Sequence, residues 1–119
     1  MHQRILFVCS MNKLRSPTAE AVFSTLRDVE VDSAGTAPDA YNHLTRENVE
    51  WATHIVCMER EHAAHVRRHH RAYLRANVIV LDIPDDYDYM EYALVWKLEK
   101  TMARWYRGQE QFNVASFSQ

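Results

Sequence analysis

The feature that most constrains this chain is a short loop near its start, between an apolar run and an amphipathic stretch. Ile5-Leu6-Phe7-Val8 is short, apolar and rich in β-forming residues, which predicts a buried strand. Cys9 follows this run, and after five intervening residues Arg15-Ser16-Pro17 closes the loop. Pro17 suits a first helical position, because its fixed φ and missing donor cost nothing there, so we expect Ser16 to cap the helix.

A loop of this length between a strand and a helix can bind a tetrahedral anion, and we call residues 9–16 the phosphate loop. Successive backbone N–H groups at a helix N-terminus point towards one centre, where the helix dipole also favours negative charge. Cys9 would lie beneath the anion, and the Arg15 guanidinium would stabilise the nucleophilic thiolate. Arginine also binds phosphoryl oxygens in pairs, as lysine does not. The alternative, a buried cysteine and an unrelated surface arginine, does not account for the whole motif.

The pattern Cys-x5-Arg-Ser-Pro, with Asn12 inside the loop, resembles the low-molecular-weight protein tyrosine phosphatases and the related arsenate reductases. The resemblance implies that the Cys9 thiolate attacks phosphorus while Arg15 grips two phosphoryl oxygens. It also implies that Ser16 hydrogen-bonds the thiolate and that Asn12 props the loop. The expected phosphate-binding positions are Ser10, Met11, Asn12, Lys13, Leu14 and Ser16.

A second stretch, residues 82–89, is acidic and aromatic and follows a predicted strand directly. Ligands in open parallel sheets bind at the carboxyl edge, so this stretch is expected to reach the phosphate loop. The phosphatase family carries an Asp-Pro-Tyr segment here whose acid protonates the leaving oxygen. The resemblance therefore makes Asp85 the general acid and Tyr87 a wall of the substrate slot. Asp86 stands in the place of the family's proline, as a supporting neighbour, and Asp86 or Asp82 could be the acid instead.

The segment Ser33-Ala34-Gly35-Thr36 also has a counterpart in that family. There it supports the phosphate loop from behind, so we expect Ser33 close to Asn12. An ordinary strand-ending turn is the alternative. The family continues with a longer loop and a further helix, whereas this chain has only Ala37 to Leu44, which makes it a shortened member.

Strand-like and helix-like segments alternate along the chain. Strands are expected over 5–8, 29–33, 54–58 and 77–81, and helices over 17–27, 45–53, 59–74 and 90–107. This alternation predicts an α/β fold with a four-stranded parallel sheet of order 2-1-3-4, right-handed crossovers and helices on both faces, a flavodoxin-like three-layer sandwich. We expect one domain over residues 1–108 and a frayed tail over 109–119.

Composition excludes several classes of protein. With 119 residues, 47% of them hydrophobic and 25% charged, the chain has room for one core and is unlike a disordered sequence. A net charge of −2 does not predict nucleic-acid binding by the whole surface. The first strand begins too soon after Met1 for a signal peptide, and no apolar run approaches roughly 18 residues, so no membrane contact is expected. Two separated cysteines suggest a reducing cytoplasm.

The predicted helix over residues 59–74 concentrates arginine and histidine. The simplest interpretation is a solvated helix face, and the alternative is a surface that contacts a polyanion. The arginines that would make that contact are Arg67, Arg68 and Arg71. His62 and His65 lie three residues apart and could share a metal, but no carboxylate or cysteine at ligand spacing completes a site. We therefore expect no metal and no cofactor.

Together these features predict a cysteine-dependent phosphomonoesterase with a phosphocysteine intermediate, and the resemblance favours a protein tyrosine phosphatase. Tyr87 or Tyr89 could stack on a phenyl ring. One alternative is a phosphatase for a nucleotide, an RNA-terminal phosphate or another small phosphoester. An alternative of another class is a non-catalytic module that binds a phosphorylated partner. The sequence does not specify an oligomeric state.

Overall fold

The structure is a computed structural model that describes residues 2–105. Four parallel strands form its sheet: β1 (Gln3–Cys9), β2 (Val29–Gly35), β3 (His54–Cys57) and β4 (Asn77–Val80). The strand order is β2-β1-β3-β4. The predicted α/β fold and its strand order are therefore confirmed.

Four helices join and follow the strands: α1 (Arg15–Phe23), α2 (Arg46–Trp51), α3 (Arg60–His69) and α4 (Tyr92–Trp105). The helix predicted over 59–74 is two elements, because the backbone leaves the helical region at His70 and a short 3-10 turn follows over Arg71–Tyr73. The predicted tail, residues 109–119, and the last residues of the helix predicted over 90–107 lie outside the described residues. Within residues 2–105, no helix combines the length and apolar character that crossing a bilayer requires.

The side chains of β1 alternate between two cores, because successive residues of a strand point to opposite faces of the sheet. Ile5 and Phe7 lie in the core that α1 and α4 cover, and Phe7 stacks on Phe23 of α1 at 5.6 Å between ring centroids. Leu6 and Val8 lie in the core that α2 and α3 cover. With helices on both faces, β1 is apolar throughout its buried length, as the run in the sequence predicted.

The elements that build the site meet at one edge of the sheet. β1 ends opposite β2 at the pair Cys9 and Gly35, and it pairs with β3 as far as Val8 and Cys57. Parallel strands present their carboxyl ends at a common edge. The phosphate loop, the first turn of α3 and the loop after β4 therefore lie side by side.

The start of α1 differs from the prediction. The helix begins at Arg15, its N-cap residue is Leu14, and no side chain caps it. Pro17 is then the third helical residue, still within the first turn, where a missing N–H leaves no bond unmade. Ser16 does not cap the helix, because its hydroxyl lies against the sulfur of Cys9 instead.

Candidate active site

A small cavity of about 180 Å³ opens at the carboxyl end of β1. Its lining residues are Cys9, Met11, Lys13, Leu14, Arg15 and Asp85. Cys9 is 3% exposed and Arg15 is 2% exposed, so the thiol and the guanidinium are both buried beside the cavity. The volume suits a phosphoryl group better than a drug-sized ligand, whose pocket starts at roughly 300 Å³.

The backbone of the phosphate loop is oriented by the segment that follows β2. The carbonyl groups of Cys9, Ser10 and Met11 accept hydrogen bonds of 2.9 to 3.0 Å from N–H groups of segment 36–41. Because these carbonyls point towards segment 36–41, its N–H groups fix the orientation of the first peptide groups of the loop. Within the described part of the chain, the N–H groups of residues 13–16 have no acceptor. They are therefore available to an oxyanion at the helix N-terminus.

Asn12 holds the centre of the loop. Its φ is 58°, a left-handed conformation that asparagine tolerates. Its side-chain amide donates to the hydroxyl oxygens of Ser16 at 2.8 Å and Ser33 at 2.9 Å. Its side-chain oxygen accepts from the N–H of Asn42 at 3.2 Å. Ser33 thus lies in hydrogen-bond contact with Asn12, and the Ser33 hydroxyl in turn donates to Glu20.

Two donors point at the sulfur of Cys9. The Ser16 hydroxyl oxygen lies 3.0 Å from the sulfur, and the N–H of Asn12 donates to it at 3.3 Å. The Ser16 oxygen accepts from the Asn12 side chain, and its own proton has two acceptors within reach, the sulfur at 3.0 Å and the carbonyl of Ala34 at 3.4 Å. Both contacts lie where they can bind negative charge on the sulfur.

The guanidinium of Arg15 is fixed from two elements. One terminal nitrogen, Nη1, donates to a carboxylate oxygen of Glu59 at 2.5 Å and to the carbonyl of Ile83 at 2.8 Å. Its Nε lies 3.7 Å from a carboxylate oxygen of Asp85. A buried guanidinium needs such partners. Sequence reasoning missed Glu59, although a carboxylate just after the buried strand β3 was a usable signal.

The three aspartates considered as general acid lie in different places. Asp85 is 64% exposed at its side chain and lines the cavity. Asp82 lies 3.9 Å from Arg60 and lines a separate hollow. Asp86 is exposed, and its N–H donates to the carbonyl of Pro84. Of the three, the structure brings Asp85 alone to the cavity.

Tyr87 does not form the wall of the substrate slot that the resemblance implied. It is half-buried and packs against the core that α1 and α4 cover, so it does not line the cavity. An aromatic ring gains more from burial in the core than from a place in an open slot. The apolar part of the cavity lining comes from Met11 and Leu14, and Lys13 is exposed at its mouth.

His62 is the second residue that sequence reasoning did not place in the site. It is 1% exposed. Its Nε2 lies 2.9 Å from the Ser10 hydroxyl and its Nδ1 accepts from the N–H of Glu59 at 3.0 Å. Burial, and after it the charge of Arg15, lowers the pKa of His62 to about 4. Pairing His62 with His65 as metal ligands is therefore unfavourable, because both nitrogens of His62 are engaged.

Among the described residues, 2–105, one group of possible metal ligands lies beside the cavity. Glu59, Glu61 and His62 each place one ligand atom within 4.8 Å of the others. The carboxylate of Glu59 is already paired with Arg15. A cation there would compete with the contacts that hold the phosphate loop, so we retain the prediction that the protein uses no metal.

The arginines of the His/Arg-rich helix lie elsewhere on the surface. Arg67, Arg68 and Arg71 are all exposed. Arg67 and Arg71, together with Leu74, line a separate hollow of about 420 Å³. The contact of these arginines with a polyanion stays a prediction.

Sequence comparison relates the first half of the chain to a known family. Residues 4–55 match the family described as low molecular weight phosphotyrosine protein phosphatase. A protein-arginine-phosphatase from Geobacillus stearothermophilus is 34% identical over 86 residues, covering 52% of this chain and 58% of that protein. The match thus spans less than two thirds of the relative's length.

Structural comparison extends the likeness to most of the chain. The YwlE arginine phosphatase from Geobacillus stearothermophilus has a TM-score of 0.68 and 26% identity, over 87% of this chain and 90% of that one. The tyrosine phosphatase Wzb from Escherichia coli K30, in complex with phosphate, has a TM-score of 0.69 and 20% identity, over 88% and 96% of the two chains. At that identity the second likeness shows the fold alone.

Proposed function

We propose that this chain, whose residues 4–55 match the low molecular weight phosphotyrosine protein phosphatase family, is a cysteine-dependent phosphatase that acts through a phosphocysteine intermediate. The observation that carries this proposal is a single cavity lined by Cys9, Arg15 and Asp85. A nucleophile, a cation that fits phosphoryl oxygens and an acid are the groups that the reaction requires.

In the first step the Cys9 thiolate attacks phosphorus, and the bond from phosphorus to the leaving group breaks. Arg15 and the N–H groups of residues 13–16 bind the equatorial oxygens while negative charge moves onto them. Asp85 gives its proton to the departing atom. The products are phosphocysteine, the protonated leaving group and an aspartate carboxylate.

In the second step water hydrolyses the phosphocysteine. The Asp85 carboxylate takes a proton from the water molecule as its oxygen attacks phosphorus, and the bond between phosphorus and sulfur breaks. The sulfur leaves as a thiolate, which the hydroxyl of Ser16 stabilises at 3.0 Å. Asp85 regains its proton and inorganic phosphate is released.

The first substrate we propose is phosphotyrosine on a protein. Met11 and Leu14 supply apolar surface against which a phenyl ring can pack. The second is phosphoarginine on a protein, because the relative with 34% identity is a protein-arginine-phosphatase. In that reaction Asp85 would protonate a guanidine nitrogen instead of a phenol oxygen. A panel of phosphopeptides, ranked by kcat/KM, distinguishes the two.

The first experiment measures the release of nitrophenol from nitrophenyl phosphate. We expect a burst equal to the enzyme concentration, no effect of a chelator, and no turnover in Cys9→Ser. Mass spectrometry of an acid-quenched reaction should find phosphate on Cys9. No turnover and no phosphocysteine between about pH 5 and 7, together with tight binding of phosphorylated ligands, would instead establish the non-catalytic binding module.

The exposed arginines of α3 and its following turn favour one further class of substrate. This class comprises a nucleotide, an RNA-terminal phosphate or another small phosphoester. Arg67, Arg68 and Arg71 would contact the rest of such a polyanion, and binding would then weaken steeply with salt. Equal oligonucleotide affinity after all three are changed to Ala excludes this candidate.

We also propose that the protein is cytoplasmic. Both cysteines are free thiols, which supports this proposal.

A further inference from the structure

We propose that His62 is a positioning residue that holds the start of the phosphate loop in the geometry that oxyanion binding needs, an inference that rests on the function proposed above. His62 belongs to α3, far from the loop in sequence, and its ring reaches Ser10, the residue directly after the nucleophile. It does not touch the reacting atoms. Its effect on catalysis is exerted through Ser10.

The two ring nitrogens of His62 have different and fixed roles. Nδ1 lies 3.0 Å from the backbone nitrogen of Glu59, whose N–H donates to it. In a neutral imidazole one nitrogen accepts while the other carries the proton, so the proton lies on Nε2. Nε2 therefore donates to the Ser10 hydroxyl oxygen at 2.9 Å. This hydrogen bond ties the side chain of Ser10 to α3.

Ser10 is fixed from two directions. Its hydroxyl is held by His62, and its carbonyl accepts from the N–H of Ala37 at 2.9 Å. The backbone also packs tightly here, since a Cβ atom on Gly35 would come within 2.5 Å of the Ser10 carbonyl oxygen. Met11, the next residue, lines the cavity. A displaced Ser10 would therefore move part of the cavity wall.

The first turn of α3 supports both ends of the loop. The Glu59 carboxylate binds Arg15, near the end of the loop, and the Glu59 N–H binds the ring of His62, which reaches its start. Glu59 and His62 also fix the start of α3, because the Glu59 N–H donates to the His62 ring and the His62 N–H donates to the Glu59 carbonyl at 3.1 Å. The spacing of the two ends thus depends on a single rigid helical turn, the kind of support that keeps a site preorganised.

His62 acts as a fixed donor and does not exchange a proton during the reaction. The groups that face it are Arg15 and His65, which disfavour the imidazolium, and Glu59 and Asp85, which favour it. Burial outweighs them all and places the pKa of His62 at about 4. Protonation of Nδ1 would also break the bond from the Glu59 N–H. Between pH 5 and 8 the ring stays neutral, with its proton on Nε2.

The test compares His62→Ala, His62→Gln, Ser10→Ala and the double variant Ser10→Ala with His62→Ala. His69→Gln, an exposed histidine on the same helix, is the control. The measurements are kcat and KM for nitrophenyl phosphate and the affinities for inorganic phosphate and vanadate, whose five-coordinate geometry mimics the transition state.

We expect His62→Ala to lower kcat about tenfold or more, with KM changed by less than about threefold, because the loop binds the transition state more strongly than the ground state. Vanadate affinity should fall by the same factor as kcat, and phosphate affinity should fall less. Gln keeps an N–H donor of similar reach, so His62→Gln should recover most of the activity. Ser10→Ala should resemble His62→Ala, and the double variant should be no worse than either.

Additive losses in the double variant, or an unchanged kcat in His62→Ala, would overturn the proposal. A His62→Gln variant as defective as His62→Ala, at equal melting temperature, would do the same. Should His62→Ala fail to fold, the proposal is tested by comparing the kcat of Ser10→Ala with that of His62→Gln. Only Ser10→Ala loses the hydrogen bond between residues 10 and 62, so only its kcat should fall. Should the wild-type protein hydrolyse no substrate, weaker vanadate binding by Ser10→Ala still supports the positioning role while the proposed reaction fails.

Discussion

The hydroxyl oxygen of Ser16 lies 3.0 Å from the sulfur of Cys9 and accepts a hydrogen bond of 2.8 Å from the side chain of Asn12. The Asn12 amide also donates to Ser33, whose own proton goes to Glu20. The bonds diverge from the Asn12 amide, and on the Ser16 side they leave the hydroxyl proton to the sulfur at 3.0 Å or to the carbonyl of Ala34 at the longer distance of 3.4 Å. In the proposed reaction, a Ser16 bond to the sulfur would stabilise it both as the attacking group of the first step and as the leaving group of the second.

Ser16→Ala should slow the hydrolysis of the phosphocysteine. A hydrogen bond to a charged group contributes about 1.5 to 3 kcal/mol, which corresponds to a rate lower by roughly tenfold to a hundredfold. Rapid-quench measurements should show phosphocysteine accumulating in this variant. Ser24→Ala, which changes an exposed serine at the end of α1, should behave as wild type. Unchanged decay of the intermediate in Ser16→Ala would show that the hydroxyl does not act on the sulfur.

Asp85→Asn should lower turnover by about a hundredfold, because the departing atom then leaves without a proton. The loss should be larger for phenyl phosphate than for nitrophenyl phosphate, since nitrophenolate leaves readily without protonation. Asp86→Asn is the matched control, because Asp86 is the neighbouring exposed carboxylate and does not line the cavity. Full activity in Asp85→Asn together with a loss of activity in Asp86→Asn would identify Asp86 as the general acid.

Gly35→Ala should destabilise the protein by about 1 to 3 kcal/mol and also lower its activity. The added Cβ would lie 2.5 Å from the carbonyl oxygen of Ser10 and 2.6 Å from the Cβ of Ala40. One of these is backbone of the phosphate loop, so relief of the clash must displace the loop. Urea unfolding and kcat/KM measure the two effects. Wild-type stability with wild-type activity would contradict the tight packing at this point.

The stability of the protein should fall as pH is lowered from about 6.5 to 4, and His62 should account for part of the loss. The unfolded histidine binds a proton near pH 6.5, whereas in the folded state burial holds the pKa of His62 at about 4. In this range the unfolded state therefore binds more protons, which favours unfolding. His62→Gln should reduce the loss by about 1 to 3 kcal/mol. Equal pH slopes of the unfolding free energy in both proteins would contradict a buried neutral His62.

Cys57 should resist alkylation while the protein is folded. Burial raises the pKa of its thiol to about 12, so the reactive thiolate is scarce at neutral pH. We expect Cys9→Ser to react with iodoacetamide only after denaturation, and the wild-type protein to be modified at Cys9. Mass spectrometry identifies the modified residue. Rapid labelling of Cys57 in the native Cys9→Ser variant would show that the core around β3 opens readily.

The fold and the centre of the site were predictable because both depend on local sequence. The apolar run of β1 and the loop length between Cys9 and Arg15 are contiguous features, and the carboxyl edge of a parallel sheet brings Asp85 to them. The contact of His62 with Ser10 joins residues of separate elements, and no periodicity reveals it. Ser16 was expected to cap a helix, since a sequence does not show whether a serine hydroxyl accepts from a helix N–H or contacts another side chain.

The hydrogen bonds between segment 36–41 and the phosphate loop join backbone to backbone, so they do not depend on which side chains the segment carries. Pro38, Asp39 and Tyr41 are exposed. Substitution of these three side chains can therefore change the surface beside the phosphate loop without removing a hydrogen bond that holds the loop.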